Sequence, residues 1–272
     1  MVADEKYFMS KDFRDKLKLF EEVKASGQPP LMFEAEDIIE IADYYNFRGD
    51  MARSRQMIDY SVKWFAHESS LPYICKASDL LTEGNIKEAE RIADLVEDRD
   101  DPDFRYLEVS LLVAKGLLAE AEEYFEEYEK EIEDDEMDDF FLDAATIYND
   151  YEYDKEAVYW LQRVEDKESA DYREQYARLM FLKGNYILCA EIIETLVDEE
   201  PFTLFFWQVL ATAYFYAGNN DEALRCSEYS LAIHPENDKG LYIKAKCLYS
   251  LGNYEEAAKF YVRYCKVSGE QP

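Results

Sequence analysis

Three glycines set the frame for this chain: Gly184, Gly218 and Gly252 recur at intervals of 34 residues, each is followed by asparagine, and Pro201 and Pro235 keep the same interval. A fixed period of this length belongs to chains built by stacking one supersecondary unit, because each unit can bury its apolar face only against the next. Extended upstream with slips of one or two residues, the frame places Gly49, Gly84, Gly116 and Glu152 at the same position. A glycine there can take a positive φ and so end one helix before a second begins.

Small residues follow the same frame. Seven positions before the glycine stand Ala42, Ala77, Val109, Ala145, Ala177, Ala211 and Ala245, and five positions after it Ser54, Ala89, Ala121, Ala157, Cys189, Ala223 and Ala257. Small side chains at both places let two antiparallel helices approach closely. A bulky residue three positions after the first small one (Tyr45, Leu80, Leu112, Tyr148, Met180, Tyr214, Leu248) lies on the same helix face and fills the space between hairpins. With 7 Pro and 9 Gly in 272 residues and few β-branched runs, the balance favours an all-α fold. The 23 Tyr and 16 Phe supply far more apolar material than a disordered acidic chain carries.

The pattern resembles the tetratricopeptide repeat (TPR) family. The unit at 204–237 carries it best, with Trp207, Leu210, Ala211, Tyr214, Ala223 and Pro235, and the next keeps Ala245, Gly252, Tyr254 and Ala257. The resemblance implies a right-handed α-solenoid of about seven helical hairpins over residues 35–69, 70–101, 102–137, 138–169, 170–203, 204–237 and 238–272. Residues 1–34 do not match a unit; an amphipathic helix with Phe13, Leu17, Phe20 and Val23 on one stripe, ended by Gly27 and Pro29-Pro30, is expected to cap the first hairpin.

Catalytic signatures are missing. The two histidines, His67 and His234, each stand alone, no HExxH or phosphate-cradling glycine motif occurs, and the acidic run at 122–139 lacks the ligand spacing of a calcium loop. No cofactor and no enzymatic activity are expected. The five cysteines form no CxxC pair, and the amino terminus lacks the apolar stretch of a secretory leader, so a cytoplasmic chain with buried thiols is expected. The formal net charge of −31 argues against nucleic acid and anionic membrane as partners. Residues 201–272 hold 8 acidic and 7 basic side chains, so the excess sits in the first 200 residues, which suit a basic partner.

In TPR proteins the first helix of each unit lines a concave groove, and carrying those positions over separates two halves. In the first four units they hold residues such as Glu36, Asp43, Asp103 and Asp139. In the last three they hold Arg178, Phe181, Gln208, Thr212, Phe215, Lys239, Tyr242, Lys246 and Tyr249, the candidate peptide-binding groove. Phe181, Phe215 and Tyr249, 34 residues apart, are expected to form an aromatic ladder, with Arg178 and Lys246 one helical turn earlier. The two-carboxylate clamp that some TPR proteins close on a chaperone tail is excluded, because of the positions it needs only Lys239 fits. The expected function is a non-catalytic scaffold that binds a peptide or helix of a partner protein. The alternative is a homo-oligomerisation module in which the repeat surface or the C-terminal end packs on another copy.

Overall fold

The computed structural model describes residues 5–269; residues 1–4 and 270–272, the outer ends of the expected capping segment and last repeat, lie outside the described residues. All regular elements among the described residues are helical. The chain divides into two compact units, Met1–Lys130 and Glu131–Pro272.

The first unit opens with a short helix α1 (Glu5–Phe8) and the capping helix α2 (Lys11–Ser26). Sequence reading anticipated only the second of these. The Ser10 side chain starts α2 by accepting from the Phe13 amide at 3.0 Å, and Gly27, at φ 68°, stops it. Phe13 and Phe20, fully buried, pack with Ile38 and Ile41 of the next helix, each ring contributing roughly 1.5–3 kcal/mol. Lys16 adds ion pairs to Asp37 at 2.7 Å and Glu40 at 2.6 Å. Three hairpins follow: α3 (Ala35–Phe47) with α4 (Met51–Phe65), α5 (Leu71–Thr82) with α6 (Ile86–Ala93), and α7 (Pro102–Ala114) with α8 (Leu118–Tyr128). The first helices pack in series, α3 on α5 and α5 on α7. The acidic run continues past α8 into single 3₁₀ turns at Glu129–Glu131 and Asp134–Glu136.

The second unit holds four hairpins: α9 (Met137–Asp150) with α10 (Asp154–Leu161), α11 (Ala170–Leu182) with α12 (Tyr186–Glu199), α13 (Leu204–Tyr216) with α14 (Asn220–Ile233), and α15 (Asp238–Ser250) with α16 (Tyr254–Ser268). Here α9 packs on α11 and α13 on α15. We keep the seven segments drawn from the sequence as our proposal for the repeat boundaries.

The turn chemistry explains the Gly-Asn pair. At the α13/α14 turn, Gly218 has φ 83° and donates to the Phe215 carbonyl, the Asn219 amide donates to the Tyr214 carbonyl at 2.9 Å, and the Asn219 side chain accepts from the Glu222 amide. Glycine therefore ends one helix and asparagine starts the next. In the α9/α10 turn Glu152 takes the left-handed conformation itself, at φ 62°, which costs a side chain with a Cβ about 1–2 kcal/mol. All fourteen small positions of the repeat frame are buried. Gly240, which lies outside that frame, has another reason to be small: a Cβ there would come within 2.5 Å of Ser230 Oγ where α15 crosses α14.

Candidate functional site

A hollow of about 830 Å³ in the second unit opens on its last hairpin. Phe215 of α13 forms one edge, Tyr242, Lys246 and Tyr249 of α15 one wall, and Tyr254 and Tyr261 of α16 the other. Its floor is made of small residues, Ala245, Ala257 and Ala258. The floor exists because the repeat demands alanine where α15 meets α16. Tyr249 and Tyr254 are exposed by 66% and 63%, Tyr242 and Tyr261 by about two-fifths each.

Lys246 ties the rings together. Its Nζ lies 4.4 Å from the ring centre of Phe215, 5.1 Å from Tyr242 and 5.5 Å from Tyr216. Contacts of this kind contribute about 0.5–2 kcal/mol according to how dry they are. No carboxylate lies within 4 Å of it among the described residues. Lys244, two positions away on the same helix, differs: it pairs with Glu228 at 2.8 Å and sits over the Phe260 ring.

Of the nine sequence-predicted residues, Phe215, Tyr242, Lys246 and Tyr249 come together in this hollow. Lys239 lies on the same face of α15, seven residues before Lys246, with an exposed side chain. Gln208 and Thr212 lie along α13, where the Thr212 hydroxyl donates to the Gln208 carbonyl at 2.7 Å and so satisfies itself locally. Arg178 is held elsewhere, ion-paired to Asp150 and 3.5 Å from Gln175 Oε1. The expected ladder of Phe181, Phe215 and Tyr249 is not a direct stack. Tyr216 stands between the first two, 5.8 Å from Phe181 and 5.7 Å from Phe215, while Tyr249 meets Tyr254 at 5.2 Å. Bulky rings one position apart on α13 point to different neighbours, and the 34-residue register alone does not say which one bridges.

Sequence reading missed the contribution of α16, because it considered only first helices. The signal was present: Tyr254, Ala258 and Tyr261 recur at helical spacing on one face. Within α13 it named Gln208, Thr212 and Phe215 but not Tyr216. The segment LFFWQVLATAYFY is apolar on every face, as in a helix enclosed by others, yet Tyr216 is 52% exposed and Phe205 37%.

The first-helix face of the first unit is chemically different. Burial raises the Asp43 carboxyl to about 6, with Glu40 adding to the effect, and burial followed by Asp101 raises that of Asp103. Cys75 sits near both and is pushed up to about 12, first by burial and then by these carboxylates. Burial raises Cys189, Cys226 and Cys247 to about 12 as well, so none of the four is a ready nucleophile near neutral pH. A second hollow in this unit, about 540 Å³, is lined by α6, α7 and α8. There Lys115 pairs with Glu90 at 2.5 Å, and Arg99 lies over the Phe104 ring and 3.7 Å from Glu108.

The family profile of the tetratricopeptide repeat matches residues 76–136 and 209–271. The chain carries tetratricopeptide repeats. Among solved structures, a tetratricopeptide repeat protein from Parabacteroides merdae aligns with a TM-score of 0.53 at 16% identity, covering 86% of this chain and 93% of its own. MamA aligns at 0.49 and 17% identity over 58% of this chain and 92% of its own. YrrB, a TPR protein with an unusual peptide-binding site, aligns at 0.42 and 20% identity over 69% and 97%. At 16% identity the likeness to the Parabacteroides merdae protein is one of fold. No curated protein matches the sequence. The TPR hairpin explains why the small residues fall where they do, and it leaves the lining of the groove to this sequence. Among the described residues no helix is long and apolar enough to cross a membrane.

Proposed function

We propose that this chain is a non-catalytic interaction module whose second unit holds a peptide or helix of a partner protein against α13, α15 and α16. The observation that carries this reading is the groove itself: five aromatic rings around a floor of alanines, open to solvent. Aromatic side chains bury much area at a low cost in side-chain entropy, which is why anchors of protein interfaces are so often Tyr, Trp or Phe. The rings are already braced by one another and by Lys246, so binding needs little further ordering. The acid-rich first 200 residues would favour basic segments elsewhere on the same partner. The high thiol pKa values and unpaired cysteines fit a reducing, cytoplasmic setting.

The test is capture of partners by a double variant, Phe215→Ala with Lys246→Glu, beside the wild-type chain at equal helicity by circular dichroism. Capture should fall sharply; unchanged capture discards the groove. A second reading, self-association, is favoured by α16, whose Tyr254, Tyr261, Val262 and Val267 are all exposed. Light scattering over a concentration series separates the two, since a chain that stays monomeric at high micromolar concentration rules out self-association.

A further inference from the structure

We propose that the segment received by this groove is acidic, an aspartate or glutamate meeting Lys246 with a large apolar neighbour seated on the alanine floor. The inference rests on the groove reading and narrows it.

The lining is the first reason. The chain has 61 acidic side chains in 272 residues, so ten positions taken at random would hold about two. The ten that line the groove hold one lysine and no carboxylate. In a protein this acidic, a hollow lined without acid is a place where a carboxylate of another chain meets no like charge in the lining.

Lys246 is the second reason. Its ammonium is half-buried, touches ring faces and has no carboxylate partner among the described residues. In the other hollow Lys115 is matched by Glu90, Arg99 by Glu108 and Arg91 by Glu88, and the one lysine without an ion pair among the described residues, Lys87, is exposed to water. A partly dried ammonium that lacks a counter-charge gains most from an incoming carboxylate, because hydrogen bonds between charged groups are roughly twice as strong as neutral ones. A basic segment would instead set like charge against it.

The pattern along α15 is the third. Lys239, Tyr242, Lys246 and Tyr249 follow at spacings of three, four and three residues, so one helix face alternates cation and ring. Neither lysine is ion-paired within the described residues. The two lie about 10.5 Å apart along the helix axis, the span of about three residues of an extended chain. A segment running along α15 would therefore meet them with carboxylates three residues apart and an apolar side chain between.

The experiment is selection of random displayed peptides of about a dozen residues on the whole chain. The winners are then titrated by fluorescence anisotropy against the wild type, Lys246→Met, which keeps the apolar stem, and Tyr249→Ala. Expected winners are rich in Asp and Glu beside Leu, Ile or Phe, and lose about tenfold or more in affinity on Lys246→Met. Winners that depend on Tyr249 without being acidic, or are indifferent to Lys246→Met, would overturn the acidic segment while leaving the groove standing. Winners indifferent to both variants would remove the groove reading itself. Absence of enrichment overturns the proposal too, and in favour of a second copy as occupant if scattering shows self-association that Lys246→Met weakens. Should Lys246→Met lose helicity, Lys246→Gln takes its place.

Discussion

Two hollows of this molecule, one in each unit, treat their cations differently. In the first unit, Lys115 and Arg99 of the α6, α7 and α8 hollow are matched by carboxylates while Lys87 stays exposed, and Glu108 serves two groups, accepting from the Tyr124 hydroxyl at 2.8 Å besides facing Arg99. In the second unit, Lys246 is surrounded by rings and left unmatched. Both hollows arise from the same hairpin packing. What separates them is how far the cations are matched by neighbouring carboxylates, and a hollow that carries carboxylates of its own offers an acidic partner little.

The contrast should break first at the rings. Phe104, fully buried beneath Arg99, is part of the core, so Phe104→Ala should cost about 3–5 kcal/mol in urea unfolding. Tyr249→Ala, at an exposed ring, should stay within about 0.5 kcal/mol of wild type in the same assay. Equal losses would mean that the groove rings are structural and that the contrast is illusory.

The turns offer a second, smaller test. Every hairpin of the first unit closes on a glycine, whereas the second unit closes α9/α10 on Glu152 in the left-handed region. Glu152→Gly should therefore stabilise the protein by about 1 kcal/mol, read as a higher urea midpoint at unchanged slope. Gly84→Ala in the first unit, with open space around it but φ 73°, should lose a comparable amount.

The smallest expected effect is a pH step confined to the first unit. Asp43 has its folded pKa raised to about 6, from an ordinary carboxylate value of 3.8. A raised carboxyl disfavours the folded state when ionised, so its contribution is fully present below about 3.8 and lost as pH rises through about 6. Because the side chain retains contact with solvent, the step should be under about 1 kcal/mol. Asp43→Asn should flatten that part of the profile between about pH 4 and 7 in thermal melts; an unchanged profile would show that the carboxyl is too wet to matter.

How much of this could be read from the sequence follows a physical divide. Glycine and alanine positions were legible because each is dictated by a backbone or a close helix crossing that recurs at the repeat period; Gly218, Ala223 and Ala257 stand where that logic puts them. The groove was legible in part. Phe215, Tyr242, Lys246 and Tyr249 share faces that helical spacing can predict, whereas the pairing of Arg178 with Asp150, 28 residues earlier, depends on how one hairpin leans on the next. Tyr216 as the bridging ring and α16 as the second wall belong to the same class: they are set by side-chain direction and hairpin angle, which leave no period in the chain.

The hairpins are also unequal in length. Helices α6 and α10 hold 8 residues each, against 14 or more in α12, α14 and α16. Two turns of helix are too few to persist without their neighbours, so these are the rungs at which amide protons should exchange soonest and a pulling force should first pry the stack apart. In α10 the rung is pinned by Trp160, whose ring lies edge-on to Phe140; α6 has no aromatic residue to hold it and is the natural point of first fraying.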